Sequence, residues 1–184
     1  TGLGAAATTW DIQQIEILRG PQGTLLGANA LAGLISLNTT SAFTKGLKIA
    51  MGVENNGGRR FAAAGGANLT STTSGRLALE QYRADGAMTN TFLNRTDTQG
   101  KDEVTFRGGL AWQGISQTVE ANWHFIDIDN GYDAFSLDNN RKTLSDEPGR
   151  DALLTHAGRL KWSVQGTVNL TTQLSVAQTD TEYA

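Results

Sequence analysis

The sequence of 184 residues contains no cysteine and only two prolines, and charged residues make up 18% of it. The absence of cysteine excludes a disulfide framework, a cysteine-based zinc site and a thiol nucleophile. The charged fraction lies below the usual ~25%, which argues against a highly charged disordered chain. No apolar run approaches the ~18 residues of a transmembrane helix. The net charge of -3 gives no electrostatic footprint for nucleic acid, so we expect no nucleic-acid partner.

Glycine, in contrast, is abundant, with 22 residues. Together with frequent threonine, this composition favours strands and tight turns over helices. Residues 1–7 have neither an initiator methionine nor a basic stretch, so they do not have the features of a signal peptide. We therefore expect the chain to be a fragment of a longer protein.

From Lys45 onward, large apolar residues alternate with small or charged ones. This period of two indicates β-strands and not helices. Seven segments show it, although the segment around Leu77 loses the pattern at Gln81 and the last segment is weak. The segments are centred on residues 47–53, 61–69, 77–79, 106–112, 119–125, 160–164 and 174–176.

The connections between these segments alternate in length. Short links are predicted near 71–75, 113–116 and 166–170, and long ones near 85–103 and 127–153, while the first turn, 55–58, is short where a long loop is expected. The acidic stretch 127–151 is interpreted as one long exposed loop. Antiparallel strands of about nine to eleven residues, with short turns at one end and long loops at the other, are typical of a transmembrane β-barrel.

The aromatic residues of the strands fall on the apolar side of the alternation. Two aromatic belts around an apolar band mark the two surfaces of a membrane. The predicted belts contain Phe61, Phe106 and Phe125 at the long-loop end and Trp112 and Trp162 at the short-turn end. The opposite side carries charged candidates for contact with a substrate or an interior domain, namely Arg60, Glu80, Arg107, Glu120, His124, Arg159 and Lys161. A soluble β-sandwich would alternate in the same way, so this pattern leaves both architectures open.

Residues 12–39 do not follow the same rhythm. They predict a strand at 15–18, a turn at Gly20–Pro21 and a second strand at 34–38. Proline ends the first strand because it cannot donate a ladder hydrogen bond. Glycines at 23, 27 and 33 permit a backbone that a Cβ atom would block.

This stretch resembles the end of the plug domain of TonB-dependent outer-membrane receptors. The resemblance extends over about 25 residues and departs from the family pattern at Leu26, Ala32 and Ser36. The residues of the plug motif singled out here are Glu16, Arg19, Gly20, Pro21, Gly23, Gly27, Ala30 and Gly33.

The resemblance implies an all-β fold: a partial antiparallel transmembrane β-barrel of about seven strands, preceded by the end of an α+β plug domain. Residues 1–44 would be the end of the plug and residues 45–184 the first strands of a 22-stranded barrel. Seven strands cannot close a barrel, so an open sheet with bare edges is expected. The resemblance also implies that Arg19 pairs with a barrel glutamate, for which Glu80 and Glu120 are both candidates.

The function implied is energy-coupled uptake of a scarce nutrient across the outer membrane of a Gram-negative bacterium. The implied partners are outer-membrane lipid, the TonB complex of the inner membrane, reached through a missing segment, and a small substrate such as a ferric siderophore. Inward cations (Arg60, Arg107, Arg159 and Lys161) would favour an anionic substrate. Alternatives are a passive porin or adhesin barrel and a soluble carbohydrate-binding β-sandwich.

The sequence offers no catalytic group, cofactor site or metal site. The glycines at 2–7 lack the strand and helix that a nucleotide loop requires. Residues 127–133 present alternating oxygens, but the closing glutamate of a calcium loop is absent, so an exposed acidic loop is the preferred interpretation over a cation site. His124 and Glu120 make at most half of a metal site. No Ser/His/Asp arrangement is present, so we expect no enzyme activity.

Overall fold

The computed structural model describes residues 8–20, 33–134 and 140–183. The regular secondary structure assigned within these ranges consists of β-strands. The described residues contain no helix that is long and apolar enough to cross a membrane. The strands are β1 (Ile12–Arg19), β2 (Gly33–Thr39), β3 (Gly46–Val53), β4 (Arg59–Asn68), β5 (Thr73–Ala84), β6 (Thr89–Asn90), β7 (Lys101–Gln113), β8 (Gln117–Tyr132), β9 (Lys142–Thr143), β10 (Gly149–Val164) and β11 (Leu170–Tyr183).

Seven of these strands form one sheet in the order β3-β4-β5-β7-β8-β10-β11. Every neighbouring pair is antiparallel and every long strand pairs with the next long strand along the chain. In the described part of the chain, β3 and β11 each pair on one side only. The predicted open antiparallel sheet of seven strands is confirmed.

The strands at the acidic end of the sheet are longer than predicted. β8 and β10 have 16 residues each and pair from Gln117 and Val164 to Tyr132 and Gly149. The prediction of one exposed loop over 127–151 was therefore wrong, and the connection is limited to 133–148. Three acidic residues of this stretch, Asp127, Asp129 and Asp151, lie in β8 and β10. Asp129 has a cation partner across the pair, since Arg150 Nε donates to Asp129 Oδ1 at 2.7 Å.

Loop lengths differ between the two ends of the sheet, as predicted. One end has the short turns 69–72, 114–116 and 165–169, and the other has the connections 85–100 and 133–148. The short connection 54–58 also lies at the long-loop end. It turns tightly because Asn56 and Gly57 both adopt positive φ, 59° and 70°, as a two-residue hairpin turn requires.

The register keeps the two predicted faces apart. On one face Phe106 lies opposite Phe125, and Trp112 lies in one row with Val119 and Trp162. Phe61 is on this face too, opposite Met51. The other face carries the charged candidates, with Arg107 opposite His124 and Glu120 opposite Lys161. We call these the apolar face and the charged face.

The segment before the large sheet forms a separate antiparallel pair, β1 with β2. Both predicted strands are confirmed, with ends that extend one to three residues further. Gly33 needs its glycine: its φ is 151°, and a Cβ there would lie 2.6 Å from the Leu18 carbonyl oxygen. Four residues of the plug motif, Pro21, Gly23, Gly27 and Ala30, lie outside the described residues.

The chain between β2 and β3 packs closely on the charged face. Ala42 is buried, and a Cβ at Gly109 would lie 3.4 Å from its methyl group. At Gly66 the approach is closer still, because a Cβ there would lie 2.2 Å from the Thr44 carbonyl oxygen. Glycine in β4 is therefore what allows residues 42–44 to lie against the sheet.

We expect Gly66→Ala to destabilise the protein by about 1–3 kcal/mol, because the added methyl group forces the Thr44 backbone away from the sheet. The measurement is the free energy of unfolding in urea. Gly52→Ala is the control on the same face, since its Cβ would meet only the Arg60 Cβ, at 3.6 Å. Equal losses for the two variants would contradict the packing argument.

Candidate functional site

A buried ion pair joins the N-terminal segment to the large sheet. Arg76 of β5 donates from Nε to Asp11 Oδ2 at 2.7 Å and from Nη2 to Asp11 Oδ1 at 2.5 Å. Both side chains are only 4% exposed. Asp11, directly before β1, adopts a positive φ of 55°, which is uncommon for a residue other than glycine. The pair therefore fixes residue 11 in a strained conformation against the wall of the sheet.

The same pair also gathers the chain that follows β2. The Thr40 backbone N–H and hydroxyl both donate to the Asp11 carbonyl oxygen, at 3.0 and 2.9 Å. Arg76 uses its remaining Nη1 to donate to the Thr44 carbonyl oxygen at 3.0 Å. Lys48 adds a longer contact to Asp11, at 4.0 Å. The end of the β1–β2 pair at which β1 begins and β2 ends is thus held at one point.

Two further arginines hold the residues before Asp11. Arg107 of β7 donates to the carbonyl oxygens of Trp10 and Thr8, the latter at 2.9 Å. The Arg60 guanidinium lies 5.6 Å from the centre of the Trp10 ring, within reach of a cation–π interaction. We call residues 8–11 with their contacts to Arg60, Arg76 and Arg107 the anchor.

The two candidate glutamates have partners within the sheet. Arg60 donates to Glu80, and Lys161 lies 3.5 Å from Glu120. Arg19 is exposed and pairs with neither of them; within the described ranges it has no ion pair. Glu16 instead accepts a hydrogen bond from Gln14, at 2.9 Å.

Among the described residues, two cavities lie between the anchored segment and the charged face in addition to a small space of 20 Å³ beside Asp11. One, of 510 Å³, is lined by Thr8 together with Glu54, Glu80 and Glu103, and the second carboxylate oxygen of Glu80, Oε2, is buried there without a hydrogen-bond partner. The other, of 150 Å³, separates His124 and Arg159 from residues 37–39. In the described part of the chain, no three His, Asp or Glu side chains come together as metal ligands.

At the opposite end of the sheet, a buried carboxylate joins the two long loops. Asp133 Oδ2 accepts hydrogen bonds from the Asn90 amide at 2.8 Å and from the Thr143 hydroxyl at 2.6 Å. Asn90 also donates to the Ser145 carbonyl oxygen. These contacts accompany a short parallel pairing of β6 with β9. Asn90 and Thr143 are fully buried and Asp133 is 2% exposed. We call this cluster the loop lock.

The chemistry of the loop lock favours the charged form of Asp133. Burial raises the pKa of this carboxyl group and is the largest single influence on it, but the hydrogen bonds that it accepts, from Thr143, Asn90 and the Ala134 backbone among others, together lower the pKa by more. The pKa of Asp133 therefore lies below its ordinary value. Residues 127–133, considered in the sequence as a possible calcium loop, instead comprise the end of β8 and one lock residue.

The sequence prediction missed the residues that hold the site together. Asp11 and Arg76 are 65 residues apart, and the alternation assigns Arg76 only to the charged face. Asp133 lies in the stretch 127–151, which the sequence pattern assigns to an exposed acidic loop. The signals present were a carboxylate next to a tryptophan at Trp10–Asp11 and an arginine directly after a glycine at Gly75–Arg76, and neither has a fixed meaning without the fold.

Comparison with known proteins shows a likeness of fold. No protein-family model matches the chain. The siderophore receptor PiuA from Acinetobacter baumannii aligns with a TM-score of 0.74 and 14% identity, over 95% of this chain and 27% of that one. The open form of the ferric-catecholate import receptor Fiu from E. coli K12 aligns with a TM-score of 0.72 and 16% identity, over 95% and 29%. The chain thus spans less than a third of either receptor.

We expect Arg76→Ala to lower the free energy of unfolding of the full-length protein by about 3–5 kcal/mol, because it leaves Asp11 buried without its counter-ion. Asp11→Ala should have a similar effect, and the double variant should lose less than the sum of the two. The measurement is urea unfolding in detergent micelles. Arg95→Ala, which breaks an exposed pair with Asp97, is the control and should change little. Strictly additive losses would contradict a coupled pair.

We expect the loop lock to open in acid. Because the pKa of Asp133 is lowered in the folded state, its stabilising contribution is complete above the ordinary aspartate pKa of ~3.9 and is lost as the pH falls through the lowered value. Spin labels at Phe92→Cys and Leu144→Cys, both exposed positions, should give one narrow distance at pH 7 and a broad one in strong acid. Asp133→Asn should abolish this dependence on pH. Broadening already near pH 6 would contradict the assignment.

Proposed function

We propose that this chain is the end of a plug domain, residues 1–44, and the first seven strands, residues 45–184, of a barrel that imports a scarce nutrient through the outer membrane. The observation that carries the proposal is the anchor. A segment that precedes the sheet is held on its charged face by Arg76 and Arg107, while the other face is apolar. A barrel filled from the inside requires this arrangement.

The apolar face supports a membrane location. Leu47 and Met51, for example, are 72% and 77% exposed. Soluble proteins rarely leave a large contiguous apolar patch in water, whereas a lipid-facing barrel wall needs an apolar band with aromatic residues at both interfaces. Phe61 at one end of the band and Trp112 and Trp162 at the other supply such borders.

The alternatives fit less well. A passive porin needs a water-filled lumen, but here the anchored segment occupies the charged face. A soluble β-sandwich needs a second sheet over the apolar face, and among the described strands none covers it. The passive barrel and the sandwich therefore both leave one face of this sheet unexplained.

A ferric siderophore is the substrate class that we propose. The two structures of similar fold are a siderophore receptor and a ferric-catecholate import receptor, and the plug-like motif agrees with coupling to a TonB complex. Three of the four inward cations are engaged, Arg60 with Glu80, Arg107 with the anchor and Lys161 with Glu120. Within the described residues Arg159 has no ion pair and borders the 150 Å³ cavity, so it is the cation best placed to attract an anionic substrate.

We expect the full-length protein to fractionate with the outer membrane, and its deletion to prevent uptake of a labelled ferric siderophore. A protonophore should stop uptake but leave binding at the cell surface intact, because only transport would need the proton gradient. Recovery in the soluble fraction would contradict the barrel, and uptake that continues with the protonophore would point to a passive pore.

Arg159→Gln should weaken binding of an anionic siderophore about two- to fivefold, the effect of one partly exposed charge. Arg95→Gln, in the outer loop 85–100, is the matched control and should bind like the wild type. An unchanged affinity in Arg159→Gln would remove this residue from the substrate path without affecting the barrel proposal.

A further inference from the structure

Two arginines lie directly opposite each other on the apolar face, at its long-loop end. Arg59 of β4 and Arg83 of β5 are partners in the ladder, and both side chains are exposed. Arg83 is also bound by Asp102, with Nη2 2.9 Å from Oδ2. Arg59 has no carboxylate within ion-pair distance in the part of the chain that the structure describes. Like charges opposite each other destabilise a sheet, and a bound anion would remove that cost.

An apolar groove of 1010 Å³ lies on the same face, further toward the short-turn end. Its centre is open because Gly65 and Gly108, neighbours of Leu77 in one row, carry no side chain. The surrounding walls are almost entirely carbon. They are formed by Leu47, Leu69, Leu77, Phe106, Leu110 and Trp123.

One strand connects the charge to the groove. Arg59, Phe61, Ala63 and Gly65 are alternate residues of β4 and therefore point to the same face. At about 3.3 Å per residue, Arg59 and Gly65 are roughly 20 Å apart along the strand. On the groove side of Phe61 the residues of this column, Ala63 and Gly65, have small side chains or none. An extended hydrocarbon chain of a ligand can therefore lie along β4 from the arginines into the groove.

The rest of the same rim has the opposite charge. Asp102 of β7 lies opposite Arg83, and further along the rim Asp129 of β8 and Glu182 of β11 both lie opposite Ala152 of β10. Arg150 is already bound by Asp129 and Glu182. This part of the rim repels an anion. In the part of the rim that the structure describes, the sector of β4 and β5 differs because Arg59 has no carboxylate partner and lies on the same strand as part of the apolar groove.

We propose that this sector binds an anionic lipid of the surrounding bilayer, with its phosphate between Arg59 and Arg83 and an acyl chain in the groove. The inference rests on the proposed function in one respect only, that the apolar face meets lipid. Basic side chains at a membrane surface each strengthen binding of anionic lipid by a modest amount, and the groove adds apolar contact that a headgroup alone lacks.

The test is native mass spectrometry of the full-length protein in detergent, titrated with dimyristoyl phosphatidylglycerol, with phosphatidylcholine of the same chains, or with inorganic phosphate. We expect retention of phosphatidylglycerol only. Arg59→Gln/Arg83→Gln should weaken that binding roughly 10- to 30-fold. If the double variant does not fold, Arg59→Gln alone, at an exposed position without an ion pair, should still weaken it severalfold.

Gly65→Ile tests the acyl chain, because it fills the groove, and its Cβ has ordinary contacts, 3.5 Å from Leu47 Cδ1. Gly158→Ile is the matched control: Gly158 lies in the same row but outside the groove, with its Cβ 3.6 Å from Val176. Arg150→Gln is the control for charge. We expect the affinity for phosphatidylglycerol to fall several times more in Gly65→Ile than in either control variant.

Three results would overturn the inference. The first is retention of phosphatidylcholine equal to that of phosphatidylglycerol, and the second is equal retention of inorganic phosphate. The third is a loss of affinity for phosphatidylglycerol in the control variants as large as in the test variants. Cell fractionation separates this failure from failure of the proposed function. A protein that resides in the membrane but shows no headgroup preference refutes only the lipid site, whereas a soluble protein refutes the barrel itself.

Discussion

The docking of the N-terminal segment depends on one buried ion pair, between Asp11 and Arg76. Charges that are 4% exposed are tolerated only when each is met by its counter-ion and the remaining hydrogen-bonding groups are satisfied. Arg76 therefore uses its third donor on the Thr44 carbonyl oxygen, and Asp11 holds a positive φ. Residue 44 supplies an acceptor to Arg76, and Thr40 donates to the main-chain carbonyl oxygen of Asp11, so residues 11, 40 and 44 are brought together around this pair.

The anchor also explains why the part of the charged face around Arg76 and Arg107 is covered by the N-terminal segment. Arg107 donates to backbone carbonyl oxygens of the segment and does not pair with a carboxylate of its own sheet. The hydrogen bonds of Arg107 are therefore satisfied only when the backbone of residues 8–10 lies against the sheet. The close approach of Thr44 to Gly66 has the same meaning, since a side chain in β4 would keep the backbone at a distance. The charged face is therefore shaped for the segment that covers it.

Most of the sheet was predictable from sequence because a period of two decides both the strand and its faces. Phe106, Phe125, Arg107 and His124 lie where the alternation places them. The prediction failed at 127–151. Turn-forming and acidic residues there indicated a loop, although both ends of the stretch belong to strands with charged side chains that pair across the ladder. It also missed Asp11 with Arg76 and the short pairing of β6 with β9. These contacts join distant residues or involve two residues per strand, so neither periodicity nor local propensity carries information about them.

Two of the buried carboxylates, Asp11 and Asp133, differ in the groups that stabilise their charge. Asp11 is neutralised by an arginine, which keeps its charge at every physiological pH. A change of pH in that range therefore cannot break the pair by removing the charge of the cation. Asp133 is held by neutral donors, Asn90 and Thr143, which stabilise the carboxylate without cancelling it. Protonation of Asp133 removes the negative charge that these hydrogen bonds stabilise, and so weakens the contacts between the two loops. The long-loop end is thus the end whose order depends on solution conditions, while the anchored end is fixed by charge pairing.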